Sequence, residues 1–375
     1  MSRRSLSMVV HFGGLQDPRM ERTKRHLLVD IVCLSICAVI AGAEGWEDIE
    51  EFGEQKEEWL RTFLRLPHGI PSHDTIARVF RLLDSDQFEA SFRDWICIVN
   101  QQLGTRHIAL DGKAVRRSYD KLSMKGMLHL VSAWSVDNRL VLAQQAVDEK
   151  SNEITALPEL LKVLQLQGAI VTIDAMGCQK EIAAQIVKQG GDYILALKDN
   201  HPKLYAAVQQ HFEKLQLENR FTRAQKRITT DESHGRVEQR HYYHVPLPPE
   251  LDWIAEEWAG CCTLGQTISY VQRHDEQTDQ VRYFLCTIPV DARRFGEGVR
   301  GHWSIENSQH YVLDVTFRED DSRIRQDNGA ENFARLRRIA LNILQQDKSK
   351  GSIRRKRKRA AWNETELLNM LKTAI

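Results

Sequence analysis

Apolar and polar positions alternate with two different periods along this chain, and the change falls near residue 105. In the first hundred residues the spacing is helical. Leu27, Leu28 and Val29 lead into the apolar run Ile31–Ile40, which Gly42 and Gly45 bring to an end. Trp46, Ile49 and Phe52 then recur every third position with acids between them, an amphipathic helix with an acidic outer face. Pro67-His-Gly-Ile-Pro71 reads as a turn, and Ser72 stands where a helix through Ile76, Val79, Phe80 and Leu83 needs its N-cap. A further helix around Phe88 to Val99 closes the group.

From His107 the period shortens. Ile108–Asp111 reads as a strand, followed by Leu128–Val136 and Leu140–Ala146 with the turn signal Asp137-Asn138 between them. A helix at about Ile154–Leu164, a strand Ala169–Asp174, a helix Cys178–Lys188 ending at Gly190-Gly191 and a strand Tyr193–Lys198 come next. Three strands followed by alternating helix and strand predict an α/β fold with a mixed sheet. From about 221 to 289 the pattern turns strand-like again, a β-rich insertion. After Pro289 a long helix is expected, capped by Asp291, and a last helix at about Ala330–Leu344. The expected organisation is a small all-helical domain over 1–100, a mixed α/β domain over 105–345 carrying the insertion, and a tail over 346–375.

Composition adds one thing. The formal net charge is only +1, but seven of the ten residues from Lys350 to Arg359 are basic and none is acidic, leaving 45 basic against 51 acidic residues elsewhere. That segment reads as a cationic tail able to bind a polyanion without regard to sequence, or as a solvated tail. Seven cysteines without C-x-x-C spacing fit reduced thiols rather than a disulfide framework or a zinc ribbon. The most lipophilic stretch, Ile31–Ala43, is too short for a membrane span, and no signal peptide opens the chain. The expectation is a soluble, intracellular, cytoplasmic protein with no membrane partner, and no Walker-type glycine loop implies a nucleotide cofactor.

Three carboxylates stand out. Asp111 and Asp174 each end an expected strand, on the face opposite Ile108 and Leu110 in one and Val171 and Ile173 in the other, and glycine follows within three residues. Acids in such places also cap turns. In the helix after Pro289, Phe295, Val299, Trp303, Glu306 and His310 fall on one stripe, which places Glu306 amid apolar neighbours with His302 beside it. A carboxylate there needs a partner, either an arginine such as Arg293, Arg294 or Arg300, or a metal. Two strand-end aspartates and a helix glutamate suit two Mg²⁺ ions, which take oxygen ligands and, as a pair, assist in-line phosphoryl displacement. His302, Glu306 and His310 as a zinc or iron site would leave the two aspartates without a role.

At this point a resemblance becomes visible. Asp111-Gly-Lys-Ala-Val-Arg-Arg-Ser, Asp148-Glu-Lys-Ser-Asn-Glu-Ile, Thr172-Ile-Asp-Ala-Met-Gly-Cys-Gln-Lys, Gly191-Asp-Tyr-Ile-Leu-Ala-Leu-Lys-Asp-Asn and His302-Trp-Ser-Ile-Glu-Asn are similar to motifs of DDE transposases of bacterial insertion sequences. The likeness covers nearly the whole chain, including Gly42-Ala-Glu-Gly-Trp-Glu-Asp-Ile-Glu and Gly69-Ile-Pro-Ser-His-Asp-Thr-Ile, and points to the group that includes the H-repeat-associated proteins of Rhs elements. It implies a ribonuclease-H-like mixed sheet with first and fourth strands side by side, bringing Asp111 and Asp174 together. It implies that Asp111, Asp174 and Glu306 hold two Mg²⁺ or Mn²⁺ ions, that the ends of an element are hydrolysed, and that the freed 3′-hydroxyl attacks target DNA. The partners it implies are double-stranded DNA with terminal inverted repeats, target DNA, and a second copy in a synaptic complex, in the nucleoid of a bacterium.

Around Glu306 the chain departs from the Tyr, Arg, Glu, Lys signature of many related transposases, offering Val299, His302, Glu306 and Leu313 instead. His302 stands where the arginine would touch phosphate, and Asn307 follows the acid. Lys113, Arg116 and Arg117 suit backbone phosphate contacts, or plain surface charge. Lys198 and Asn200 match a family Lys-x-Asn motif, and Ser233-His-Gly-Arg-Val-Glu-Gln-Arg240 offers Arg236 and Arg240 to DNA or to Glu238. Asp148 and Glu149 are accounted for by a turn. In the amino-terminal helices, Ser72–Leu83 with Arg78 would be the groove-entering helix of a helix-turn-helix module; an ordinary helical bundle fits the same pattern.

Overall fold

The computed structural model describes residues 7–119, 126–147, 153–233, 236–273 and 276–373. Asp148, Glu149, Ser151, His234 and Gly235 lie outside them. The chain forms two compact units, one of Met1–Thr105, Gly112–Lys150 and Glu306–Ile375, the other of Arg106–Asp111 and Ser151–Ile305.

The first unit is mainly helical: α1 (Ser7–Phe12), α2 (Leu28–Ala41), α3 (Trp46–Gln55), α4 (Glu57–Leu60), α5 (His73–Leu82) and α6 (Ser85–Leu103). α2 is apolar on every side and is buried almost throughout, as such a helix must be in water. It ends at Gly42, whose φ of +133° a residue with a Cβ rarely adopts. α5 begins as expected, with the Ser72 hydroxyl accepting from the Thr75 N–H at 3.4 Å, and buries Ile76, Val79 and Phe80. Among the described residues no single helix is long and apolar enough to cross a membrane.

Strands follow: β1 (His107–Val115), β2 (Leu128–Ser135) and β3 (Leu140–Val147). The second unit then runs through α7 (Glu153–Lys162), β4 (Ile170–Ile173), α8 (Lys180–Lys188), β5 (Asp192–Leu197) and α9 (Pro202–Leu217). It continues with β6 (Lys226–Ser233), β7 (Arg236–Pro246), α10 (Trp253–Glu257), β8 (Thr263–Arg273), β9 (Glu276–Cys286) and α11 (Ala292–His302). The sheet order is β3-β2-β1-β4-β5-β9-β8-β7-β6. β1, β4 and β5 run parallel, and β9 joins β5 antiparallel. The β-rich segment is therefore a continuation of the main sheet.

α11 covers one face of that extension. The Asp291 side chain caps it, accepting from the N–H groups of Arg293 and Arg294 at 2.8 and 3.1 Å. Phe295 and Val299 pack with Tyr242, Phe284, Ile194 and Ile288. A Cβ at Gly265 would lie 2.3 Å from the Phe295 ring and one at Gly298 2.4 Å from Ile194, so both positions need glycine for close approach.

Back in the first unit, a π-turn (Glu306–His310), α12 (Tyr311–Val315), α13 (Gly329–Gln346), α14 (Ile353–Trp362) and α15 (Glu364–Thr373) complete the chain. Here the structure differs from the expected tail. The basic segment is helix α14, and Lys356 and Arg357 are buried. Lys356 donates to the carbonyls of Leu344 and Asp347, and Arg357 to those of Thr316 and Val39. Carbonyl oxygens left at helix ends are natural acceptors for such donors.

Candidate active site

β1 and β4 lie side by side in parallel register, Ala109 opposite Thr172 and Leu110 opposite Ile173. One residue further along each strand stand Asp111 and Asp174. The two acids flank one another at the end of the parallel pairing, which is the position the resemblance implied. One detail is corrected: Asp111 does not end its strand, since β1 continues to Val115. Only its pairing with β4 stops there. β2 carries the ladder on from the other side, so Gly112 does not act as a terminator.

Asp174 is half-buried, and its carboxylate accepts from the backbone N–H groups of Met176 and Gly177 at 3.1 and 3.3 Å. The turn it caps is tight: a Cβ at Gly177 would sit 2.3 Å from the Ile173 side chain. Asn200 braces the same turn, its amide donating to the Ala175 carbonyl at 3.0 Å. Sequence reasoning assigned Asn200 to DNA; the structure gives it a bracing bond. Lys198 is exposed.

Thr172 was not anticipated as part of the site. Its hydroxyl lies 2.9 Å from His107 Nε2 and 3.1 Å from His302 Nδ1, so it joins β1, β4 and the end of α11. Thr172 and Asp174 share one face of β4 by strand alternation, which places His302 over the face that carries the acid. Burial pushes the His302 imidazole down to about 4, against the opposing pull of Asp174. It is neutral at physiological pH and engaged with Thr172. The signal was available in the sequence, as the polar Thr172 on the face of a short apolar strand.

Glu306 is the first residue of the π-turn and faces solvent. The helical projection from Phe295 through Trp303 put it on the packing face instead. The reason is geometric. Trp303 breaks the α-helical run, and the wider π-turn then alters the angular step, so an extrapolated stripe no longer holds. Asn307 is exposed beside it, while Gln309 and His310 are buried.

Lys113 is the largest departure among the basic candidates. It is 8% exposed, and its ammonium group lies 2.7 Å from Asp314, 3.1 Å from Asp320 and 3.4 Å from Glu319. Those partners were not anticipated. Arg116 and Arg117 remain exposed, paired loosely with Asp320 and Asp321 at 3.2 and 3.4 Å. Arg78 is exposed on α5. Arg236 opens β7 opposite Ser233 and Arg273.

The donors offered by Asp111, Asp174 and Glu306 are all carboxylate oxygens, the ligand type that hard divalent cations take. Among the described residues no group of three His, Cys, Asp or Glu side chains is already gathered into a metal cage. Asp111 and Asp174 each stand one residue beyond the paired Leu110 and Ile173.

Comparison with known proteins shows the family. Residues 102–343 match the family described as transposase DDE domain, and residues 9–96 match the family described as DDE_Tnp_1-associated. The chain belongs to the DDE transposases. It is 41% identical over 369 residues to "H repeat-associated putative transposase YhhI" of Escherichia coli K12, covering 97% of each chain. A similar level, 41% over 361 residues, relates it to "Putative transposase YncI" of Escherichia coli O157:H7, with 95% of this chain and 92% of that one covered. The "Inactive transposase YbfQ" of Escherichia coli K12 is 50% identical over 72 residues, only 19% of this transposase. This is an insertion-sequence DNA transposase, an enzyme that cuts DNA and transfers strands.

Proposed function

We propose that Asp111, Asp174 and Glu306 are the acid triad of this transposase, holding two Mg²⁺ or Mn²⁺ ions. The observation that carries the reading is the register of β1 on β4, which sets Asp111 beside Asp174. Two further bonds lie in the chain on either side of Glu306. His302, four residues before it, is tied to Thr172 on β4, and Asp314, eight residues after it, is tied to Lys113 on β1. The strand order β3-β2-β1-β4-β5, with first and fourth neighbours, supports a ribonuclease-H-like catalytic core.

When bound, the ions supply positive charge to the attacking and leaving oxygens of an in-line phosphoryl displacement. The chain's own residues do the rest. The carboxylates fix where a scissile phosphate docks, Asn200 and Gly177 hold the Asp174 turn, and Thr172 with His302 orients the end of α11. Water enters first and cuts at the element end; the freed 3′-hydroxyl then attacks target DNA. Arg116, Arg117, Lys198, Asn307 and, on the helical segment, Arg78 are exposed side chains able to meet the DNA backbone or grooves, with Arg236 at the start of β7. Two copies pairing two ends in a synaptic complex belong to the same proposal, as does action in the bacterial nucleoid.

The test is nicking of DNA that carries the element's terminal repeats, with Mg²⁺ or Mn²⁺ supplied. Wild type is expected to leave 3′-hydroxyl ends, and Asp111→Ala to lower the rate by more than about a hundredfold while still binding the DNA. Binding with no metal-dependent nicking by wild type would make the chain a silent, DNA-binding descendant. Cutting without regard to the repeats and without joining would make it a general nuclease.

A further inference from the structure

The two edges of the sheet are finished in different ways. β3 is clasped: Asn342 accepts from the Val141 N–H and donates to the Val141 carbonyl, both at 2.8 Å, and Glu89 accepts from the Gln144 N–H at 2.9 Å. Edge strands left unpaired are templates for another strand, and such side-chain clasps close them. β6, at the other end, pairs only with β7. Among the described residues no side chain clasps its outer edge.

The sequence of β6 reads Lys226-Arg-Ile-Thr-Thr-Asp-Glu-Ser233. Its bases are at one end and its acids at the other. If a second β6 is laid antiparallel against it with Thr229 opposite Thr229, Lys226 falls opposite Glu232, Arg227 opposite Asp231 and Ile228 opposite Thr230. Every charged pair is complementary, and the two-fold axis makes each pair occur twice. The even-numbered residues of this strand, Lys226, Ile228, Thr230 and Glu232, are all exposed. They share a face with a row that crosses the extension in register, Ile228, His241, Ile268 and Val281, of which Ile228 is 46% and Val281 38% exposed. On that face α9 covers the base of the extension, where Tyr205 and Phe212 meet Tyr283.

We propose that β6 is a self-complementary docking edge, and that its occupant is the β6 strand of a second copy of this chain, added antiparallel about a two-fold axis through Thr229. Isologous pairing of this kind closes on itself as a dimer. The charges that on an ordinary edge would repel a strand here select one register. The seam is a protein–protein contact that forms without DNA and stands independently of the metal chemistry proposed above. A strand seam lies at the small end of stable interfaces, so the dimer is concentration-dependent.

Sedimentation velocity on the full-length chain over a micromolar concentration series, without DNA, tests this. Wild type shows a monomer–dimer equilibrium. Lys226→Glu and Glu232→Lys each set like charges opposite one another twice and weaken the dimer about tenfold or more. The double variant K226E/E232K restores complementarity and returns the dissociation constant to within about threefold of wild type. Unchanged thermal unfolding of each variant confirms that folding is intact. A wild type that stays monomeric, a dimer indifferent to either single reversal, or a double variant that fails to recover would each overturn the proposal.

Discussion

Thr172 makes a chain of three side chains out of what would be two unrelated histidines. With His107 and His302 both within 3.1 Å of its hydroxyl, it fixes the end of α11 over the strand that carries Asp174. Thr172→Val keeps the shape and removes the hydrogen-bonding group. Leaving two buried imidazoles short of a partner costs about 1–3 kcal/mol. The expected outcome is a lower unfolding temperature and a nicking rate that falls while DNA affinity holds. A variant that nicks at the wild-type rate would show that the bridge is structural only. At this scale the positions of Asp111 and Asp174 at the end of the β1–β4 pairing were legible, because alternation along short apolar strands sets each acid apart from its apolar neighbours. Glu306 was recognisable by type but misplaced by environment, since a periodic projection cannot foresee where a helix widens into a π-turn.

At the scale of elements, an ionic cluster ties β1 to α12 and to the turn that follows it. Lys113 meets Asp314, Glu319 and Asp320, and Glu319 in turn accepts from Arg338 of α13 at 2.7 Å. Burial by itself would raise the Glu319 carboxyl, but Arg338, Lys113 and Arg337 outweigh it and hold the group at about 2. Removing one partner from such a cluster leaves buried charge uncompensated, which costs about 3–5 kcal/mol. Lys113→Met is therefore expected to be strongly destabilised in urea unfolding at pH 7. The pH dependence has a definite sign: the stability Glu319 contributes is present above its ordinary value of 4.5 and is lost as the pH falls from there toward 2. The difference between wild type and Lys113→Met should shrink across that window; a constant difference would argue against the cluster. None of this was visible in Lys113-x-x-Arg116-Arg117, which reads as surface charge until its carboxylate partners, some two hundred residues away, are known.

On the scale of the whole molecule, the local grammar of the chain was largely readable. The Ser72 and Asp291 caps, the stop at Gly42 and the strands β1, β4 and β5 follow from residue type and period. What depended on distant partners was not. The pairing of β5 with β9, which makes the β-rich segment part of the main sheet, has no local signal. Nor has the burial of Lys356 and Arg357, whose acceptors are carbonyls of Leu344, Asp347, Thr316 and Val39. A run of seven basic residues in ten looks like a polyanion tail unless such acceptors are waiting.

Calorimetric titration of Mn²⁺ into the full-length transposase bound to terminal-repeat DNA bears most directly on the acid triad. The expected result is saturable binding of two ions by wild type, with at least one site lost or weakened beyond about tenfold in Glu306→Gln and in Asp174→Asn. An unchanged isotherm for Glu306→Gln would remove the glutamate from the cation site and contradict the account.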